Sequence, residues 1–208
     1  GFDAQLIIMD VVPWMLPYYE ASGIQFEIED NRDYMDYTFT PEQFLAGMDT
    51  QDDRYRYNYF KRRFAYETEE ITPFHREEIR EFMEREWCGE KTCEECHCGC
   101  LLRVIDNLVP VFDKIRINGI LVRVEGKMAG LCIVSCRNGL GVYQYKNAVN
   151  RIKGINEYLL RESFERYLQS ADTINYTEDM GVENLRYYKE HMAPAHTLLS
   201  KLTLTERG

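Results

Sequence analysis

The chain has 208 residues, 45% of them hydrophobic and 13% aromatic, which is enough to bury a sizeable core in one or two domains and argues against disorder. Its formal net charge of −10 disfavours nonspecific attraction to nucleic acid or anionic lipid, because such binding needs clustered Lys and Arg; a local basic patch escapes that argument. The longest apolar runs, such as Leu6 to Met9 and Leu131 to Val134, fall far below the roughly 20 residues of a membrane-spanning helix.

The first residues, Gly1-Phe2-Asp3-Ala4, carry no secretory signature. Seven Cys is an odd number, and the crowding of most of them between Cys88 and Cys100 is poor spacing for a disulfide framework. The thiols are therefore expected to be reduced and the compartment cytoplasmic.

In chain order, an apolar run from Gln5 to Val12 reads as a strand, a Pro-rich break follows, and Phe26 to Glu29 alternates as a half-buried strand does. Thr40-Pro41 ahead of Phe44 and Leu45 starts a short helix that Gly47 stops. Thr72-Pro73 repeats the start signal ahead of Ile79, Phe82, Met83 and Trp87, which share one helical face. Leu101, Leu102, Ile105 and Leu108 give a second short helix, ended by Pro110.

The period then turns to alternation. Ile115 to Val124, a Glu125-Gly126-Lys127 turn and Met128 to Cys136 form an antiparallel hairpin, and Gly139-Leu140-Gly141 turns the chain into Val142 to Lys146. Cys132 and Cys136 share one face of their strand and read as small core residues. Helical spacing runs from Ile155 to Leu168. Asp172 to Tyr176 reads as a strand, Val182 to His191 as a helix and Thr197 to Thr205 as a last strand.

Between the strand ending at Lys146 and the next helix lies Arg151-Ile152-Lys153-Gly154-Ile155-Asn156. A helix N-terminus has unpaired N–H groups and a partial positive charge, so a glycine loop there can hold a pyrophosphate, and Arg151 and Lys153 add two cations. The segment resembles the Arg/Gln-x-x-Gly-x-Gly/Ala loop of GNAT acyltransferases, with Asn156 standing where the second small residue is usual. The order helix, helix, three-strand meander, loop and helix, strand, helix, strand is also that of the GNAT fold. The resemblance implies an α/β (α+β) GNAT-like fold whose mixed, mainly antiparallel sheet is flanked by helices. Arg151, Lys153, Gly154, Ile155 and Asn156 then contact the donor.

The stretch Asn175-Tyr176-Thr177-Glu178-Asp179-Met180-Gly181, with Leu185-Arg186 and Lys189 after it, resembles the Asn-x-Glu-Glu-Asp-Leu-Gly-x-x-x-Leu-Arg-x-x-Lys signature of the phosphatidylglycerol lysyltransferase C-terminal family of bacterial proteins. Asp36-Tyr37, Lys61-Arg62-Arg63-Phe64 and Tyr145-Lys146-Asn147-Ala148 fit the same family. Members resemble tandem GNAT folds. That implies part of a first GNAT half in residues 1–70 and a second in 71–208. It also implies transfer of an acyl or aminoacyl group from CoA or aminoacyl-tRNA to an amine or hydroxyl acceptor. On that resemblance Asn175, Arg186, Lys189 and Lys146 are candidate substrate-binding residues.

Glu178 and Asp179, placed between a strand and a helix, are candidate general bases. Two plainer readings stay open: Asp179 capping the helix, and Arg186 pairing with Glu183 or Glu190 at the surface. Cys88, Cys93, Cys96 and Cys98 are a candidate zinc set, Cys93-x-x-Cys96 matching half a zinc knuckle, against free thiols or a redox disulfide. Arg54 to Phe64 interleaves cations with aromatics and suits a tRNA, a CoA adenine or an acidic helix; an amphipathic helix or strand with solvated cations is the alternative. His75, His191 and His196 have no assigned role. Two further readings of the whole chain stand beside the enzyme: a non-catalytic GNAT scaffold and a zinc-stabilised interaction protein.

Overall fold

The computed structural model describes residues 5–88, 99–192 and 194–207, without the side chains at 87, 88, 99–101 and 103. The chain forms two compact units, one of residues 48–174 and one of residues 1–47 with 175–208.

The unit of residues 48–174 is built on strands in the order β4 (Tyr66–Glu70), β5 (Asn118–Val124), β6 (Lys127–Arg137), β7 (Leu140–Ala148) and β8 (Thr173–Asn175). The meander from β4 to β7 is antiparallel throughout. Ile120, Leu121, Val122, Leu131, Cys132, Ile133 and Val134 are fully buried, so β5 and β6 have both faces covered. The covering helices are α4 (Arg76–Met83), on which α5 (Gly99–Leu108) packs, and α6 (Ile155–Ser163), against which α3 (Gln51–Arg63) packs. The hairpin and the helix after Gly154 lie where the sequence periodicity predicts, within a few residues. α4 and α6 both end in a π turn, at Glu84–Cys88 and Phe164–Leu168.

Residues 51–63 are helical although Tyr55, Tyr57 and Tyr59 alternate as in a strand. Thr50 accepts a hydrogen bond from Asp53 N as N-cap, Asp52 and Asp53 sit in the first turn, and Lys61, Arg62 and Arg63 in the last, an arrangement the helix dipole favours. Phe60 is fully buried with its ring 5.0 Å from Tyr66 and 4.9 Å from Tyr158. Tyr57 stacks on Tyr158 at 5.8 Å. One side of α3 is thus an aromatic seam on α6 and β4.

The other unit carries a three-stranded antiparallel sheet in which β10 (Leu202–Glu206) lies between β1 (Ile7–Val11) and β2 (Phe26–Asp30). Val11, Leu202 and Leu204 form its core, against which α1 (Leu16–Glu20) packs Leu16 and Tyr19. β3 (Asp36–Phe39) pairs antiparallel with β9 (Thr197–Leu199), and α2 (Pro41–Gly47) and α7 (Glu183–Met192) complete the unit. The single strand predicted from Thr197 to Thr205 is therefore two strands in different sheets. Phe60→Ala is expected to lower the unfolding free energy by about 3–5 kcal/mol in denaturant titrations, because it empties the middle of the aromatic seam.

Candidate functional site

In the unit of residues 48–174, Gly154 is the N-cap of α6 and has a left-handed backbone with φ of 88°. A Cβ built there would collide with the backbone carbonyl oxygen of Arg56, so α3 passes directly against this residue. The first-turn N–H groups of α6 have no intrahelical acceptor. Arg151 and Lys153 are exposed, and Arg151 reaches Glu86 at 3.6 Å. Lys153 Nζ lies over the rings of Tyr55 (4.7 Å) and Tyr59 (5.4 Å) on α3. Asn156 Oδ1 accepts a hydrogen bond from Lys146 Nζ at 3.1 Å. The sequence-derived loop residues thus come together with Lys146. The aromatic and basic side of α3 adjoins them, and Tyr55, Asn58, Tyr59, Arg62 and Arg63 line a shallow pocket.

On the opposite face of β7, Tyr145 Oη donates to Met83 Sδ at 3.0 Å and Asn147 Nδ2 donates to Tyr145 Oη at 3.1 Å. Glu86, mostly buried between Arg85 at 2.8 Å and Arg151, is a carboxylate beside the loop that sequence reasoning missed. It belongs to the π turn after α4, and helical periodicity carries no signal for that.

In the other unit the family signature folds onto itself. Asp179 is fully buried. Its carboxylate accepts from Arg186 Nε (2.9 Å) and Nη2 (2.8 Å), Arg32 Nη1 (3.0 Å), Tyr37 Oη (2.8 Å) and Gly181 N (2.9 Å). Burial works to raise its pKa, but the hydrogen bonds from Arg186, Tyr37 and Gly181 outweigh it and hold the carboxyl well below the usual carboxylate range. This geometry fits a structural anchor and not a proton acceptor near neutral pH. Arg186 also grips Asp33 at 2.6 Å, so its partners are Asp179 and Asp33 instead of Glu183 or Glu190; Glu190 pairs with Arg32 at 3.2 Å.

Lys189 is buried and caps the turn, donating to Tyr176 O at 2.6 Å and Glu178 O at 2.7 Å. Gly181 has φ of 71°, and a Cβ there would sit 2.7 Å from Asp33 Oδ2. Asn175 Nδ2 donates to Asp36 Oδ2 at 2.8 Å, while its Oδ1 accepts from Thr177 N at 2.7 Å. Glu178 is partly exposed and pairs with Lys201 at 3.2 Å; Lys201 also lies 3.0 Å from Asp36. Arg186, Lys189 and Asn175, read from sequence as substrate contacts, all turn toward their own chain.

Of the zinc candidates, Cys93, Cys96 and Cys98 and the side chain of Cys88 lie outside the described residues. Among the described residues no group of three His, Cys, Asp or Glu side chains is arranged to hold a metal. Cys132 is buried and free, and burial pushes its thiol up to about 11. No helix among the described residues is long and apolar enough to cross a membrane.

An antiparallel meander that runs into a glycine loop and helix, with helices on both faces, is a GNAT-like acyltransferase fold. It is similar to a tandem GNAT protein from the clavulanic acid biosynthesis pathway (TM-score 0.55, 11% identity, 97% of this chain and 62% of that one). The chain belongs to the phosphatidylglycerol lysyltransferase C-terminal family, whose profile matches residues 2–200. L-PGS from Bacillus licheniformis aligns at TM-score 0.67 and 14% identity, over 98% of this chain and 69% of that one. A conserved protein of unknown function from Bacteroides thetaiotaomicron aligns at TM-score 0.80 and 24% identity, over 98% of this chain and 70% of that one. Comparison with curated proteins gave no match.

Asp179→Asn is expected to cost about 2–3 kcal/mol near neutral pH, because it strips a buried charge from Arg186 and Arg32. The figure is held down because those arginines keep 32% and 34% of their side chains in water. Since the folded-state pKa is depressed, this stability is fully present above the unfolded carboxyl value of about 4 and is lost as pH falls below it. Denaturant titrations at about pH 7 and about pH 3 should therefore show the gap between wild type and variant shrinking at the lower pH.

Proposed function

We propose that the chain transfers an acyl or aminoacyl group from CoA or aminoacyl-tRNA to an amine or hydroxyl acceptor, with the donor phosphates at the N-terminus of α6. The observation that carries the reading is the loop itself: a left-handed glycine N-cap at the start of α6, with Arg151 and Lys153 exposed beside it. The family and the acyltransferase neighbours support a group-transfer chemistry in general. The tyrosines and arginines of α3, with Lys153 stacked among them, suit a donor that carries a base and further phosphates, as CoA and the 3′ end of a tRNA both do.

In the reaction the acceptor nitrogen or oxygen bonds to the acyl carbon. The thiolate of CoA or the ribose oxygen of tRNA leaves, and a base takes the acceptor's proton. Most of the acceleration would come from orienting the two reactants and from backbone donors on the developing oxyanion. Of the two acidic candidates we assign the base to Glu178, because Asp179 has its oxygens filled and is held ionised. The specific observation that favours a non-catalytic scaffold instead is that Glu178 is itself ion-paired with Lys201.

Binding is tested by thermal shift with CoA, acetyl-CoA, desulfo-CoA and tRNA. Lys153→Glu is the informative variant, since any side chain at Gly154 would disturb folding. At a hundredfold excess over Kd a donor adds about 2.7 kcal/mol and raises the melting temperature by about 5–10 °C, a rise that Lys153→Glu should largely remove. Glu178→Gln is expected to keep the shift and lower turnover by about a hundredfold or more. Binding with no turnover by the wild type would favour the scaffold, and no shift with any donor would overturn the donor loop.

A further inference from the structure

α3 has two faces, and only one is spent on the core. Tyr57 and Phe60 turn into the aromatic seam. Tyr55, Asn58, Tyr59 and Arg62 fall at i, i+3, i+4 and i+7, a single stripe along the helix. With Arg63 they line a pocket of about 230 Å³, smaller than a site for a drug-sized molecule and suited to one planar ring system. The rings of Tyr55 and Tyr59 lie 6.0 Å apart, and Tyr59 is braced by the ring of Phe64 at 6.3 Å. Tyr55 is 53% exposed, so its ring is open to a ligand.

The polar groups of the stripe are uncommitted. Arg54, Arg56 and Lys61 are held by Asp49, Asp52 and the Tyr57 hydroxyl. Arg62, Arg63 and the Asn58 amide are exposed and have no hydrogen-bond or ion-pair partner among the described residues. The helix dipole favours cations in the last turn but leaves their N–H donors unused. In a chain of net charge −10, two unmatched arginines beside a tyrosine pair attract a phosphate that carries a base. At about 1.5 Å per residue, Arg62 lies about 9 Å along α3 from Arg56, whose carbonyl abuts Gly154, so one ligand with two phosphate groups can reach both the stripe and the loop.

We propose that this stripe binds an adenosine that carries a phosphate on its ribose, the group shared by CoA and the 3′ end of a tRNA. The base stacks on Tyr55, the Asn58 amide pairs with the adenine edge as donor and acceptor, and Arg62 and Arg63 take the phosphate. Lys153 now lies over both tyrosine rings. A cation–π contact at an exposed site is weaker than base stacking, so the base takes the ring face and releases Lys153 to the loop. The inference rests on the donor-loop reading for the rest of the ligand and deepens it by fixing where the nucleoside goes.

Isothermal titration of the full chain with adenosine 3′,5′-bisphosphate and its guanosine counterpart tests the stripe, and inorganic pyrophosphate tests the loop alone. The adenosine compound should bind about tenfold more tightly than the guanosine one, a preference that Asn58→Ala removes. Tyr55→Ala should weaken adenosine binding about tenfold or more while Tyr55→Phe keeps it, and neither should change pyrophosphate binding. Tight binding of CoA over dephospho-CoA, lost when Arg62 and Arg63 are both changed to Ala, supports the inference with CoA as the source; binding of a CCA trinucleotide instead supports it with a tRNA end. Thermal melting checks that each variant is folded. If pyrophosphate and CoA bind but adenosine bisphosphate does not, and Tyr55→Ala leaves CoA binding unchanged, this inference falls and the donor loop stands. If adenosine bisphosphate binds through Tyr55 and pyrophosphate does not bind, the stripe stands and the loop reading falls; if no probe binds, both fall.

Discussion

The contact between the Arg56 carbonyl and Gly154 organises the unit that carries the loop. No Cβ fits there, and the φ of 88° would strain any other residue. With the side chain gone, α3 can lie close against the start of α6. Its aromatic seam is then buried against Tyr158 and Tyr66, and Tyr55 and Tyr59 come within reach of Lys153. The glycine of an acyltransferase-type loop usually draws attention for the approach of a phosphate. Here it also makes room for a neighbouring helix, which brings a basic and aromatic surface to the loop.

The signature near residue 180 has a different logic. Its residues do not form an open constellation; they satisfy one another. A buried carboxylate is costly unless several donors surround it, and Asp179 collects them from Arg186, Arg32, Tyr37 and the Gly181 amide. Lys189 closes the carbonyls that the irregular turn would leave unpaired, and Gly181 supplies a left-handed residue where Asp33 leaves no space for a side chain. A string of charged and amide residues at fixed spacing can therefore brace a turn as readily as it can do chemistry. Glu178 is the member of the acidic pair left nearer to solvent.

Much of the fold was legible in the sequence. The hairpin, the α4 face of Ile79, Phe82 and Met83, and the helix after Gly154 follow from period and turn residues alone. β3 and β4 were not read. β3 is four residues long, and β4, Tyr-Glu-Thr-Glu-Glu, is an edge strand whose acidic residues face water or Arg123 across from it. α3 was ambiguous because its tyrosines alternate, although its N-cap and its charge gradient mark a helix. The loop residues of the candidate site were legible because their chemistry is local: a glycine, two cations and a helix start. The partners of Asn156 and of Asp179 were not, since Lys146 reaches the first through a bulge and Arg32 reaches the second from 147 positions away.

By itself, then, the sequence determined the types of the longer, periodic elements, the position of the glycine loop and the resemblance to the family, because periodicity, turn residues and motif spacing act over a few residues at a time. Only the tertiary structure decided which charged groups are neutralised inside the fold and which are left facing solvent around the loop. That depends on which strands pair, where a bulge changes the parity of a strand, and how many donors converge on a buried carboxylate. These are set by contacts between distant segments, and no local pattern encodes them.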